Sequence, residues 1–113
     1  MLDAEEILQA GEPPGEDSGM RSRLRWAQRI LSLGMTVTRA EFKERVHQLL
    51  QAWHPDHATA TDPRSLELTQ RILIARDIID DYLVNYRYSL QDAEIDKYLS
   101  PREWFEKRFG DDP

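Results

Sequence analysis

The residues of this chain with the widest chemical reach sit together in HQLLQAWHPDHATATDP, residues 47–63. An imidazole (His54), a proline (Pro55) and a carboxylate (Asp56) stand side by side, with His47 and His57 nearby in the sequence. Such a cluster has four possible uses: metal ligation, acid–base or nucleophilic chemistry, a turn, or a contact surface. A metal set of His47, His54, Asp56 and His57 fails on spacing, because His47 precedes the trio by about two helical turns and no further ligand is close. A hydrolytic His–Asp pair fares no better. Side chains flanking a proline point apart, and neither a Gly-rich phosphate loop nor a nucleophile motif accompanies them. The residues therefore predict no catalytic role, no metal and no cofactor, which leaves the turn and the contact surface.

The segment before the trio explains why the chain turns there. In TRAEFKERVHQLLQAW the side chains Phe42, Val46, Leu49, Leu50 and Trp53 recur at helical spacing and fall within an arc of about 100°. Thr38, with Glu41 three residues on, forms a capping box at the start. At the other end Pro55 lacks an amide hydrogen and pushes His54 out of the helical region. The pattern predicts a helix over 39–53. After the polar DHATAT, Asp62 as cap and Pro63 at the first position open a second long helix, from 63 to about 86. Its stripe is Leu68, Ile72, Ala75, Ile79, Tyr82, Leu83 and Tyr86, widened by Ile74 and Ile78.

Upstream, RSRLRWAQRILSLG predicts a helix over 22–33, with Gly34 in the stopping position. No period-two alternation and no internal repeat is present, so the fold class is all-α. A connection of about ten residues between the long helices predicts an antiparallel hairpin, with the 22–33 helix lying across it.

The flanks differ in kind. Residues 2–9 have two helical turns' worth of pattern, marginal in isolation. Residues 10–19, AGEPPGEDSG, read as a linker. The chain divides into an acidic N-terminal tail and linker (1–20), a helical domain (21–90) and a C-terminal extension (91–113). In the last of these, SPREWFEKRFG signals a short helix over about 101–109, with Ser100 as cap, Glu103 completing the box and Gly110 past the end. Its Trp104, Phe105 and Phe109 either dock on the domain's own helices, over Ile74 and Ile78, or anchor in the groove of another protein.

Composition bounds what partners are plausible. The 113 residues carry a net charge of −6 and no cysteine, which excludes disulfides and thiolate metal sites. No apolar run approaches the roughly 20 residues needed to span a bilayer, and the start MLDAEE lacks the basic residues of a secretory signal, so a cytoplasmic setting is expected. The charge is uneven. Residues 1–20 hold six acids and no base, residues 21–90 eleven bases against eight acids, and residues 91–113 four bases against seven acids. Within the basic middle, Arg21, Arg25 and Arg29 recur every fourth residue with Arg23 beside them. That stripe predicts a solvated helix face first and nucleic-acid contact second.

A short helix ending in ILSLG, the helix EFKERVHQLLQAW followed at once by HPD, a polar loop, and RILIARDII together resemble the J-domain of DnaJ-type co-chaperones. The likeness covers about residues 22–88, with Phe42, Leu49 and Trp53 where that family keeps core side chains. It implies a protein that docks on a DnaK-type heat-shock chaperone and stimulates its ATP hydrolysis through His54, Pro55 and Asp56. Pro55 would fix the turn and Asp56 would accept paired hydrogen bonds from an arginine of the partner. No bond is broken at this chain's own residues, so it is not an enzyme on this reading. The docking face would include Lys43, Arg45, His47 and Gln48. Where the family usually carries a tyrosine and a basic pair, this chain has Val46, His47 and Gln48, and Ala52 and His57 replace further cations. Histidine carries little charge at pH 7, so steering toward a partner is expected to be weak. Glycine-phenylalanine, zinc and β-rich client modules are absent, which resembles the minimal class in which the flanks select the client. Here those flanks are the acidic tail and the segment around Trp104 and Phe105. The rival expectation is a degenerate J-like adaptor that keeps the fold without stimulating ATP hydrolysis.

Overall fold

The computed structural model describes residues 4–54, 62–98 and 102. Within them the chain is helical: α1 (Ala4–Gln9), a 3-10 turn (Glu16–Ser18), α2 (Met20–Leu31), α3 (Arg39–Trp53), α4 (Ser65–Asn85) and α5 (Asp92–Asp96). The longest helix, α4, is the centre, with α1, α2 and α3 all packed on it. The C-terminal end of α3 meets the first turns of α4, where Thr69 Oγ1 donates to the Trp53 carbonyl at 2.9 Å. At the other end Val37 and Thr38, just ahead of α3, line the same groove as Leu83 and Tyr86. The two helices therefore run antiparallel.

α3 follows its sequence pattern residue for residue. Phe42, Val46, Leu49 and Trp53 are buried, Leu50 is half-buried, and Thr38 and Glu41 close the capping box with hydrogen bonds of 3.0 and 2.9 Å. α4 buries Leu68, Thr69, Ile72, Ala75, Ile78 and Ile79. Its regular part opens two residues later than expected. Asp62 and Pro63 belong to a preceding turn, closed by the Ser65 N–H donating to the Asp62 carbonyl at 3.0 Å.

The core stripe is shorter than the sequence suggests. Tyr82 and Tyr86 are 38% and 51% exposed, and Ile74 is exposed as well. Tyr82 and Tyr86 line an open groove between the N-terminal half of α2 and the 33–39 connection instead of a packed helix–helix contact.

α2 runs over Met20–Leu31, two residues ahead of the expected 22–33, and Gly34 is not what ends it. Ser32 takes the left-handed conformation at φ 52°, ψ 46°, its N–H donates to the Arg29 carbonyl, and the Leu33 N–H reaches the Gln28 carbonyl at 3.0 Å. This is a Schellman closure with serine in the position that usually favours glycine. The Gln28 amide then donates to the Gly34 carbonyl at 3.0 Å and fastens the following turn.

α1 is too short to persist alone. Ala4 and Ile7 enter the core, and Arg71 Nη1 donates to the Ile7 and Leu8 carbonyls at the helix end at 3.2 and 3.1 Å, the latter also accepting from the Gly11 N–H at 3.1 Å. Gly11, at φ 80°, turns the chain away, and its carbonyl accepts from Trp26 Nε1 at 3.1 Å. The 4–11 segment is thus tied to both α2 and α4. α5 was not expected. Its signals were the first-turn acids Asp92 and Glu94 and the Glu94–Lys97 pair at 3.0 Å. The helix expected over 101–109, with Trp104, Phe105 and Phe109, lies outside the described residues.

Candidate functional site: the end of the α3–α4 hairpin

The trio that opened the sequence analysis begins at the last residue of the α3 arm. His54 is half-buried and extended at φ −64°, ψ 136°, as expected of a residue before proline, and its N–H still donates to the Leu50 carbonyl at 2.9 Å. Pro55 and Asp56, together with His57, lie outside the described residues. What is described is how both ends of the 55–61 connection are held.

On the α3 side, Trp53 is the anchor. Its ring is buried, the Arg64 guanidinium sits 5.8 Å from the ring centroid, and its carbonyl accepts from the buried Thr69 hydroxyl. On the α4 side, Asp62 accepts from the Arg64 backbone N–H at 2.9 Å and from the Arg64 guanidinium at 3.2 and 3.0 Å. The guanidinium first, and the backbone N–H second, hold the Asp62 carboxyl below its usual range, and Asp62 in turn holds Arg64 above its own. Arg64 therefore touches both arms. Neither Thr69 nor Arg64 stands out in the sequence. The usable signal was a threonine beside Leu68 on the apolar face, since a buried hydroxyl needs a partner.

The docking residues expected on α3 do not share one face. At about 100° per residue Lys43 and His47 lie about 40° apart, on the same edge as His54, and both are exposed. Gln48 lies about 100° beyond His47, and Arg45 sits on the far edge, against α2. Arg45 Nε donates to the Leu31 carbonyl at 2.9 Å and its Nη1 reaches Gln48 Oε1 at 3.5 Å, so this cation helps close the C-terminus of α2. Gln48 also donates to Glu44 at 3.4 Å. Lys43, His47 and His54 form one stripe leading to the hairpin end, and Arg45 with Gln48 forms another.

The arginine stripe of α2 is divided as well. Arg21 and Arg25 line a groove formed with the end of α4, Arg23 lines an adjoining hollow, and Arg29 lines neither. Among the described residues none of these four arginines forms an ion pair. Also among the described residues, no group of three or more His, Asp or Glu could hold a metal ion, and no helix is long and apolar enough to cross a membrane. No protein-family model matches this chain, and neither curated proteins nor solved structures match it.

Proposed function

We propose that this chain is a J-domain co-chaperone that docks on a DnaK-type heat-shock chaperone and raises its rate of ATP hydrolysis through His54, Pro55 and Asp56. One observation carries the reading. The sequence His-Pro-Asp begins where α3 ends, at the tip of a helical hairpin whose two arms are fastened to each other through Trp53, Thr69 and Arg64. The fastening fixes the two ends between which Pro55 and Asp56 are strung, which lowers the cost of bringing them to a partner together. Lys43 and His47 extend the contact along α3. Hydrolysis occurs in the partner, and this chain supplies no catalytic group. The acidic N-terminal segment, or the segment bearing Trp104 and Phe105, recruits a client, and a cytoplasmic location suits such a pairing.

An adaptor without stimulating activity is favoured by one specific observation. Arg45 is engaged with α2, which leaves Lys43 as the exposed cation on the stripe that leads to His54. Steady-state ATPase of a DnaK-type chaperone separates the two readings. The co-chaperone stimulates, His54→Gln and Asp56→Asn lower stimulation about tenfold or more, or at least ~1.4 kcal/mol of barrier, and the chain's melting temperature stays unchanged. Equal rates with wild type and both variants would favour the adaptor.

A further inference from the structure

At the opposite end of the molecule from His54, the last turns of α4, the N-terminal half of α2, the 33–39 connection and α5 enclose a groove of about 1190 Å³. Its floor is aliphatic: Leu24, Leu33, Val37 and Leu83 are half-buried around the buried Ile79. Exposed large apolar side chains rise along its rim, among them Met35 at 77% and Tyr98 at 79%, with Tyr82, Tyr86 and Ile95 between. Contiguous exposed apolar surface of this kind marks an interaction site.

The charge around it is one-sided. Arg21, Arg25, Arg39 and Arg87 line the groove, all exposed and, among the described residues, all without an ion-pair partner. The acid in the same lining, Glu94, is paired with Lys97 at 3.0 Å. The adjoining hollow is lined by Arg23, Arg87 and Asp81. An acidic chain of −6 overall thus concentrates unpaired cations around one apolar trough.

We infer that this groove binds an amphipathic acidic helix of another protein, with aliphatic or aromatic anchors on the floor and carboxylates on the arginines. Anchors at i, i+4 and i+7 suit a trough between helices, and arginine accepts carboxylates in paired hydrogen bonds. Nucleic acid is the weaker match, because it has no aliphatic side chains to bury in the floor. From Thr69 to Tyr86 is about 25 Å along α4, so binding here and ATPase stimulation at the hairpin end succeed or fail separately.

The test uses the full chain and a labelled synthetic peptide of about 18 residues, with Leu and Trp at i, i+4, i+7 and i+11 and Glu on the remaining face, read by fluorescence anisotropy. A Gln-for-Glu version and oligo(dT) serve as comparators. The acidic peptide is expected to bind about tenfold or more tighter than the glutamine version in low salt and to lose that advantage as salt is raised. Arg25→Glu with Arg87→Glu should remove the preference, while Arg29→Glu, outside the groove, leaves it intact, circular dichroism confirming the fold of each. Tyr86→Ala should weaken both peptides by a similar factor. The proposal is overturned if both peptides bind equally, if neither binds, or if only oligo(dT) binds. It is overturned equally if the acidic peptide binds Trp104→Ala but not wild type, since the chain's own C-terminal segment would then be the occupant.

Discussion

The two ends of α4 are built on different terms. At the hairpin end polar groups do the fastening. Thr69 holds the Trp53 carbonyl, and Arg64 sits at the Trp53 ring while paired with Asp62. At the other end α4 faces an open groove, and Tyr82 and Tyr86 are exposed in a lining that also holds arginines without an ion-pair partner among the described residues. One end is a fixed scaffold for a short loop, and the other is an open surface suited to a longer partner. The difference lies in what approaches α4, because the same apolar spacing runs through both ends.

The hairpin end should give the largest effects when broken. Trp53→Ala is expected to cost about 3–5 kcal/mol in chemical denaturation, because it empties a core position that also carries the contact with Arg64. Trp53→Phe should cost far less, since the indole N–H is buried without a hydrogen-bond partner and its loss removes an unfavourable group. If the two substitutions cost the same, the indole N–H has a role that the structure does not account for. Thr69→Val keeps the shape but leaves the Trp53 carbonyl unsatisfied, for about 1–3 kcal/mol. Substitutions at the exposed groove positions, such as Tyr86→Ala, should leave the melting temperature nearly unchanged.

Most of the fold was legible because α3 obeys local rules. A capping box, an apolar arc and a proline stop are all set by residues within a turn of one another. The exceptions depended on distance. Tyr82 and Tyr86 continue the α4 stripe in sequence, but whether they are buried depends on how closely α2 and the 33–39 connection approach them. Gly34 was the expected stop for α2, but the chain closes two residues earlier on Ser32, whose left-handed backbone has no sequence signature as clear as glycine. Arg45 was expected on the docking face, and only the approach of the α2 C-terminus shows that its Nε is engaged with Leu31. The likeness to a J-domain rests on the tripeptide and its flanking helices, which are local, while the choice of partner surface is not.

Smaller effects sharpen the same contrast. Ser32→Gly should stabilise the chain by about 0.5–1 kcal/mol in denaturant titration, since glycine adopts that backbone without strain. The acid limb should be shaped by two exposed carboxylates. The Thr38 backbone N–H first, and the Thr38 hydroxyl second, lower Glu41, and Arg64 lowers Asp62. Folded-state values below the unfolded ones mean that their stabilisation is present at neutral pH. It is lost as pH falls below about 4, through the folded values. Asp62→Asn should flatten that limb near the hairpin end, and Glu41→Gln should do so at the start of α3.

The most direct measurement is single-turnover ATP hydrolysis by a DnaK-type chaperone preloaded with ATP and mixed with saturating amounts of this chain or its His54→Gln variant. Acceleration by wild type and an intrinsic rate with the variant, both chains equally folded, is the predicted result. The same rate with both proteins would contradict the assignment of the hairpin end to ATPase stimulation.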